Sequence, residues 1–258
     1  MRSIETLFDL TGKTAIVTGG GRGLGAQIAD ALTDQGANIV ICSRKQEACE
    51  AVAAEFAKKG VQAVGIGCDV TDPNDVERVI TQTMDTFGSV DILVNNSGTS
   101  WGAPAEDMPL AAWEKVMDVN VKGTFLMAQA AGRVMIEQGS GKIINVASVA
   151  GLSGADPRFL DAIGYNTSKG AVINFTKDLA AKWGRYNIQV NAIAPGFFPT
   201  KMSKDVLDMG GEIIKDRTPL GRFGGEDELK GAAAFLASEA SSYVTGDVLS
   251  VDGGMSAM

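Results

Sequence analysis

The chain has 258 residues, of which 45% are hydrophobic and 21% charged, a composition typical of one large globular α/β domain. Its net charge of −8 disfavours binding to nucleic acid or anionic membranes, and no run of about 20 apolar residues could span a bilayer. Histidine is absent, which excludes His-based triads and His metal sites, and the three cysteines lack CxxC spacing, so we expect a cytoplasmic protein whose acid–base chemistry comes from Tyr, Lys or carboxylates.

Short apolar segments alternate along the chain with longer amphipathic ones. Because the apolar segments lack the alternation of a half-exposed strand, they predict strands buried on both faces of a parallel sheet. The predicted strands are 15–18, 38–42, 61–66, 91–95, 142–146, 188–193 and 248–251. The predicted helices are 23–35, 45–59, 73–87, 109–138, 162–185 and 226–238. We therefore predict one α/β domain over residues 1–258, a Rossmann-type, doubly wound, seven-stranded parallel sheet with helices on both faces.

Residues 197–223 interrupt this alternation. Phe197-Phe-Pro-Thr200 is loop-like, a short amphipathic piece follows, and 221–225 is rich in glycine. The segment comes after the carboxyl end of the sixth strand, where open α/β sheets bind ligands. We predict that residues 197–223 form a mobile substrate lid.

The first predicted strand runs into a glycine-rich loop, Thr18-Gly-Gly-Gly-Arg-Gly-Leu-Gly25, and then into a helix. Glycines permit a tight turn and let backbone N–H groups approach a pyrophosphate at the helix N-terminus. The spacing differs from the GxGxxG fingerprint, but the position after the first strand favours a dinucleotide site. The predicted contacts in this loop are Gly19, Arg22, Gly23, Leu24 and Gly25.

The end of the second strand bears on the type of dinucleotide. In NAD sites a carboxylate about 20 residues after the loop binds the adenine ribose, but here the strand ends in Ser43 and Arg44. Arg44 could stack on adenine and bind a 2′-phosphate with its planar guanidinium, Ser43 could hydrogen-bond that phosphate, and Arg22 could assist. NADP(H) is therefore the predicted cofactor. The alternative is that Arg44 is a solvated residue at a helix start.

Tyr165 and Lys169 are four residues apart on a predicted helix, so their side chains share one face. A phenol ordinarily titrates near pH ~10. A positive charge about 4 Å away, at an effective dielectric of ~20, favours the phenolate by ~4 kcal/mol, or roughly three pK units. The spacing thus predicts a lowered Tyr165 pKa and proton transfer by the phenol. Taken alone, a Tyr and a Lys at this spacing usually belong to an ordinary helix face.

Seven motifs occur in order over essentially the whole chain. They are the Thr18–Gly25 loop, Asn95-Asn-Ser-Gly98, Asn120, Ser148, Tyr165-x-x-x-Lys169, Pro195-Gly196 and Asp252-Gly-Gly254. Together they resemble the short-chain dehydrogenase/reductase family, and within it the bacterial 3-oxoacyl reductases and gluconate 5-dehydrogenase-like enzymes. The resemblance implies an NADPH-dependent carbonyl reductase, reversibly an alcohol dehydrogenase, whose partner is a small carbonyl or alcohol substrate.

The resemblance also implies catalytic roles for four residues. Tyr165 would donate the proton in reduction, and Lys169 would bind the nicotinamide ribose and lower the tyrosine pKa. Ser148 would hydrogen-bond the substrate carbonyl and help hold its developing negative charge. Asn120 would hold a water in a proton relay to Lys169, although a structural contact with the backbone is the alternative.

Further cofactor contacts are implied at the ends of other strands. Asp69 and Val70 would contact adenine, although Asp69 could instead begin a helix. The residues that would close the cofactor cleft, or hold the nicotinamide amide and pyrophosphate, are Asn95, Asn96, Gly98, Pro195, Gly196 and Thr200.

The substrate is left open, because the segment between Ser148 and Tyr165 is a few residues longer than in the family. An apolar wall would favour a 3-oxoacyl compound or a similar apolar ketone; the candidates are Trp101, Phe197, Phe198 and Met202, which could instead simply close the lid. Cationic anchors would favour a sugar acid of the gluconate type; the candidates are Arg158, Lys201 and Lys204, for which the alternative is that they are solvated loop charges.

Two other classes of protein are weighed against an enzyme. A non-catalytic nucleotide-sensing regulator of this fold typically lacks the tyrosine or the lysine, and this chain has both. A structural or partner-binding protein is supported only by the two longest predicted helices, which carry extra apolar side chains of the kind that family members use to form oligomers. We expect a homotetramer, or a homodimer, that accompanies enzymatic function. The extra apolar side chains on the two longest predicted helices are Phe125, Leu126, Met127, Phe175, Leu179 and Trp183.

Overall fold

A computed structural model describes residues 1–258. The strands are β1 (Thr14–Thr18), β2 (Asn38–Ser43), β3 (Ala63–Gly67), β4 (Ile92–Asn95), β5 (Gly141–Val146), β6 (Ile188–Pro195) and β7 (Val248–Val251). The helices are α1 (Ile4–Phe8), α2 (Gly23–Asp34), α3 (Gln46–Ala57), α4 (Pro73–Phe87), α5 (Leu110–Met117), α6 (Gly123–Gln138), α7 (Ile163–Trp183), α8 (Lys204–Asp216) and α9 (Lys230–Ala237). Every predicted strand is present, and the helices without a counterpart among the predicted ones are α1 and α8, the second of which lies in the predicted lid.

The seven strands form one parallel sheet in the order β3-β2-β1-β4-β5-β6-β7. The order reverses between β1 and β4, so the chain winds outward from β1 in one direction and from β4 in the other. At this switch point Ile16 of β1 lies between Val40 of β2 and Leu93 of β4. The predicted doubly wound fold is confirmed.

Side chains from each central strand alternate between two apolar cores. Ile39 and Ile41 of β2 belong to the core beneath α2, α3 and α9, whereas Val40 and Cys42 belong to the core beneath α4, α6 and α7. All four are fully buried. This burial on both faces explains why the strands are continuous apolar runs in the sequence.

Helix α4 shows how local signals set an element's bounds. The Asp72 side chain accepts a hydrogen bond from the Asn74 N–H at 2.9 Å, and Pro73 occupies the first helical turn. Gly88 ends the helix in the left-handed region at φ 76°. The cap is thus Asp72 and not Asp69, so the alternative role considered for Asp69 as a helix start is wrong.

The single helix predicted over 109–138 is interrupted. Residues Asp118–Lys122 form a π-helical turn between α5 and α6, and the Gly123 N–H donates to the Asp118 carbonyl, one residue further back than in an α-helix. Such a turn inserts one extra residue into the helix and is frequent at functional sites. Here it contains Asn120, whose side chain is fully buried.

The apolar side chains assigned to an oligomeric face lie mostly inside the subunit. Met127 and Leu179 belong to the core, and the Trp183 ring packs on Gly132, where an added Cβ would be 2.2 Å from it. Phe125 alone is well exposed, at 44%, and its ring meets Phe175 edge-on at 6.5 Å. Met127 and Leu179 are therefore explained by packing within the subunit, and the homo-oligomer stays a prediction.

The predicted lid contains one helix, α8. Its backbone leaves helical geometry at Gly210, where φ is −125° and ψ is 15°, so the helix is kinked in the middle. At its start the Ser203 hydroxyl donates to the Phe198 carbonyl at 2.6 Å. In the whole molecule, no helix is both long and apolar enough to cross a membrane.

Candidate active site

The parallel sheet brings the carboxyl ends of its strands to one edge, where doubly wound folds bind ligands. The predicted site residues at or just after six of these ends are Gly19, Ser43, Asp69, Asn96, Ser148 and Gly196. Residues scattered over most of the chain are thereby placed along one cleft.

The glycine-rich loop has the backbone that its sequence predicts. Gly19 and Gly23 have positive φ angles of 65° and 56°, which residues with a Cβ rarely adopt. At Gly25 an added Cβ would be 2.6 Å from the Gly19 carbonyl oxygen and 2.3 Å from Nδ2 of Asn96. The loop is thus tightly closed on itself, and the α2 N-terminus follows it directly.

Thr18 and Asn96 hold this loop against the end of β4. The Thr18 hydroxyl accepts hydrogen bonds from the N–H groups of Asn96 at 3.0 Å and Ser97 at 2.9 Å. The Asn96 side chain donates to the carbonyls of Thr18 at 3.0 Å and Gly19 at 3.2 Å. Asn96, predicted as a cofactor contact, therefore uses its amide donors to shape the loop. The role of Thr18 was missed, although its place at the end of the first strand marked it.

Two guanidinium groups lie beside the loop without partners. Arg22 and Arg44 are exposed, and neither side chain forms an ion pair or a hydrogen bond within the protein. Ser43 lies near the loop, since a Cβ on Gly21 would be 3.8 Å from its hydroxyl, and it shares a hydrogen bond with the Cys49 thiol at 3.0 Å. The loop, a hydroxyl and two free cations fit the pyrophosphate and 2′-phosphate of NADP(H).

The two predicted adenine contacts, Asp69 and Val70, differ in how far their side chains are already engaged in contacts within the protein. Asp69 Oδ1 accepts from the N–H and hydroxyl of Thr71 at 3.0 and 2.8 Å, whereas Oδ2 makes no hydrogen bond. The Val70 side chain is buried against Gly123, where an added Cβ would be 2.6 Å from it. Val70 is therefore packed into the core through its side chain, and Asp69 keeps a free oxygen.

The predicted proton-transfer group is assembled from β5 and α7. The Ser148 hydroxyl lies close enough to the Tyr165 phenol to lower its pKa, and it accepts the Ala150 N–H at 3.2 Å. Lys169 Nζ donates to the Val146 carbonyl at 2.7 Å and lies 5.6 Å from the centroid of the Tyr165 ring. The structure thus brings three of the four predicted catalytic side chains together.

The predicted direction of the Tyr165 pKa is wrong. Burial raises the pKa of the phenol above its ordinary value near 10, and the nearby Ser148 hydroxyl lowers it by less. Lys169 is itself buried, which lowers its pKa to about 8, and its ammonium bonds the Val146 carbonyl and not the phenol oxygen. The sequence argument placed a full charge about 4 Å away in a solvated setting and left out the desolvation of both groups.

Asn120 stabilises the floor of the cleft. Its Oδ1 accepts the Thr99 N–H at 2.8 Å, and its Nδ2 donates to the Thr99 carbonyl and the Ser168 hydroxyl, both at 2.9 Å. Ser168 in turn donates to the Tyr165 carbonyl at 2.7 Å. These contacts match the structural alternative for Asn120. The water relay stays a prediction, and sequence reasoning missed Ser168, one position before the lysine.

Gly98 lies between Asn120 and Lys169. A Cβ at Gly98 would be 3.4 Å from Oδ1 of Asn120 and 3.8 Å from Nζ of Lys169. The absence of a side chain therefore keeps the space beside the lysine ammonium open, as the predicted cofactor cleft requires.

The end of β6 closes the opposite wall of the cleft. The Gly196 N–H donates to the Val251 carbonyl at 3.0 Å, and an added Cβ would be 2.8 Å from the Cα of Asp252. Pro195 ends β6 beside this contact. The Thr200 methyl group lies 3.8 Å from where a Cβ on Gly23 would stand, so the start of the lid reaches the glycine-rich loop.

The structure removes one residue from each of the two sets of candidate substrate contacts, the apolar wall and the cationic anchors. Phe198 is buried in a core cluster and packs on Gly224, so it is not free to contact substrate, whereas Trp101 and Met202 are exposed. Among the candidate anchors, Arg158 is already paired with Asp156 through its Nε and Nη2 atoms. The expectations for Phe198 and for Arg158 as a free anchor are wrong.

A doubly wound parallel sheet with a glycine-rich loop at its switch point places the chain among the dinucleotide-binding oxidoreductases. The sequence matches the family described as "Enoyl-(Acyl carrier protein) reductase" over residues 19–256. The chain belongs to the short-chain dehydrogenase/reductase family, whose members are NAD(P)-dependent oxidoreductases acting on CH–OH groups.

Three relatives show the extent of this similarity. The chain is 40% identical to gluconate 5-dehydrogenase of Gluconobacter oxydans, with 96% of each chain covered. It is 38% identical to the 3-oxoacyl-[acyl-carrier-protein] reductase FabG of Aquifex aeolicus, over 95% of this chain and 98% of that one. A crystal structure of gluconate 5-dehydrogenase from Burkholderia cenocepacia, in complex with NADP and tartrate, superposes with a TM-score of 0.94 at 40% identity, covering 99% of this chain and 100% of that one.

Proposed function

We propose that the protein is an NADP(H)-dependent carbonyl reductase in which Tyr165 is the proton donor. The observation that carries the proposal is the assembly of Tyr165, Ser148 and Lys169 at the edge of the sheet, in the same cleft as the glycine-rich loop. The free guanidinium groups of Arg22 and Arg44 support NADP(H) over NAD(H), since no carboxylate stands at the end of β2. The similar protein crystallised with NADP supports the same choice.

NADPH, when bound, supplies the hydride that adds to the carbonyl carbon. The glycine-rich loop and the α2 N-terminus would hold its pyrophosphate, and Ser43 and the two arginines its 2′-phosphate. Lys169, whose pKa is about 8, is mostly charged at neutral pH and would bind the ribose hydroxyls.

The Tyr165 phenol then performs the proton transfer. Its raised pKa keeps it protonated at neutral pH, which is the form that can donate a proton to the carbonyl oxygen. The Ser148 hydroxyl would donate to the same oxygen as negative charge develops there. The phenolate left behind is stabilised by the nearby Lys169 ammonium and recovers its proton from solvent.

For the substrate, we propose an apolar ketone such as a 3-oxoacyl compound. Phe197 lies two residues beyond the end of β6, and its ring packs edge-on against Phe159. Arg158 already forms an ion pair with Asp156, so it is not a free anchor for a sugar acid. The second candidate is a sugar acid of the gluconate type. It is favoured by the similarity to two gluconate 5-dehydrogenases and by the exposed Lys201 and Lys204 at the lid start.

Initial rates with NADPH and NADH, measured against 3-oxoacyl thioesters, diketones and keto-sugar acids, would test both proposals. We expect turnover with NADPH. Faster reduction of 3-oxoacyl thioesters or diketones would support the apolar ketone, and faster reduction of keto-sugar acids would support the gluconate-type substrate. Tyr165→Phe should abolish turnover and leave the NADPH dissociation constant within about twofold, because the phenyl ring keeps the packing and only the hydroxyl group is lost. Wild-type activity of this variant would refute the proposed acid.

A further inference from the structure

The loop that precedes the catalytic tyrosine, residues 151–161, contacts the lid helix α8 at its kink. Phe159 is only 6% exposed, and it faces Gly210. A Cβ at Gly210 would be 2.3 Å from the Cβ of Phe159 and 3.1 Å from its Cα, so only glycine permits this approach. The φ of Gly210 is negative and accessible to any residue, so the glycine is needed here for space.

The Phe159 ring is held from two further sides. It meets the ring of Phe197 edge-on, with centroids 5.9 Å apart and an interplanar angle of 81°. The Arg217 guanidinium, just beyond the end of α8, lies 5.7 Å from the centroid of the Phe159 ring. The loop side chain thus contacts both the entry and the exit of the lid.

An ion pair completes this contact. Arg217 Nη2 is 2.8 Å from Oδ2 of Asp156, whose side chain is only 12% exposed. The hydrogen bonds that Asp156 accepts from the side chain and N–H of Arg158 lower its pKa to about 2, so it is charged at all working pH values. We name the set Asp156, Phe159, Gly210 and Arg217 the loop–lid contact.

We infer that the loop–lid contact fixes the lid over the carbonyl site, and that its members are positioning residues that set the apparent affinity for the substrate. The inference rests on the proposed function for what lies beneath the lid. Phe159 is on the chain segment leading to Tyr165, and Phe197 directly follows Gly196, which the family resemblance places beside the nicotinamide. In the inferred closed state, a substrate beside Tyr165 would be covered by α8 only while this contact is made.

The kinetic consequence follows from the populations of the open and closed lid. When only a fraction of molecules is closed, the apparent dissociation constant rises by the inverse of that fraction. A saturating substrate restores the closed state, so kcat is preserved. Weakening the contact should therefore raise KM and leave kcat and NADPH binding nearly unchanged.

The test compares Phe159→Ala, Gly210→Ala and Arg217→Lys with wild type, using the best carbonyl found with NADPH. We expect KM to rise about tenfold for Phe159→Ala and Gly210→Ala, as loss of an aromatic contact predicts, with kcat within about twofold. Arg217→Lys keeps a cation for Asp156 and for the ring, so KM should rise less than about threefold.

Gly231→Ala is the matched control for Gly210→Ala, since a Cβ at this α9 position meets nothing within 4 Å. It should leave KM unchanged. Hydrogen exchange of the amides of residues 204–216 gives a readout independent of turnover, and it should be faster in Phe159→Ala than in wild type. An unchanged KM together with unchanged exchange in Phe159→Ala would overturn the inference while leaving the proposed function intact. If wild type reduces no carbonyl, the proposed function fails, and the exchange experiment still decides whether the contact holds the lid.

Discussion

Replacing Lys169 by methionine should make the protein more stable at neutral pH while abolishing turnover. Methionine is similar in length to lysine and carries no charge. The reason for the expected gain is that the Lys169 ammonium is 5% exposed and has no carboxylate partner, so that its burial lowers its pKa from 10.5 to about 8.

The size of the effect follows from this pKa difference. Lowering the pKa from 10.5 to about 8 corresponds to ~3 kcal/mol of destabilisation while the lysine is protonated in both states. Removing the lysine also leaves the Val146 carbonyl without its donor, at a cost of about 1–2 kcal/mol. We therefore expect Lys169→Met to raise the free energy of unfolding by about 2 kcal/mol at pH 7.

The sign of the pH dependence provides a second check. Between pH 8 and 10.5 the unfolded chain holds the Lys169 proton and the folded protein does not, so wild-type stability rises with pH in this window. The advantage of Lys169→Met should therefore be full below pH 8 and should disappear as the pH approaches 10.5. Urea unfolding at pH 7 and pH 9.5 measures both values.

Lys177→Met is the matched control, since Lys177 is exposed on the same helix. It should change the free energy of unfolding by less than about 0.5 kcal/mol. A Lys169→Met variant less stable than wild type at pH 7, or an advantage that does not change with pH, would show that the buried ammonium carries no desolvation cost.

Two further predictions concern the cofactor. Arg44→Ala should raise the NADPH dissociation constant about tenfold or more and change that of NADH far less, because in the proposed complex the guanidinium would bind the 2′-phosphate that NADH lacks. Lys45→Ala is the neighbouring control, and equal losses for both cofactors would contradict this role. Gly25→Ala should abolish NADPH binding measured by fluorescence titration, because its Cβ would stand 2.6 Å from the Gly19 carbonyl oxygen. Gly184→Ala, whose Cβ meets nothing within 4 Å, should bind normally, and tight binding by Gly25→Ala would refute the proposed loop geometry.

The sheet was predictable because its signals are local. A strand buried on both faces is apolar at every buried position, as residues 39–42 are in β2, and this pattern can be recognised without knowing which segments are neighbours in space. The glycine-rich loop was predictable for the same reason, because the positive φ angles at Gly19 and Gly23 are ones that residues with a Cβ rarely adopt.

The π-helical turn at Asn120 was not predictable from the helical pattern. The amphipathic periodicity continues through residues 109–138, and one inserted residue hardly alters it. What favours the turn is the contact of the Asn120 side chain with the Thr99 backbone, 21 positions away in the sequence. Such contacts between distant segments leave no local periodic signal.

The sequence by itself determined the order of the elements and the identity of the groups at the sheet edge, because hydrophobic period, glycine placement and motif spacing are properties of neighbouring residues. Only the tertiary structure decided how deeply those groups are buried and which partners they contact. Whether the Tyr165 pKa rises or falls depends on the balance between burial and the direction of the Lys169 ammonium, and that ammonium is turned toward Val146 on another element. Likewise, the sequence shows Phe159 only as one residue of a long loop. Its contact with the lid depends on the close approach of Gly210, 51 positions later in the chain.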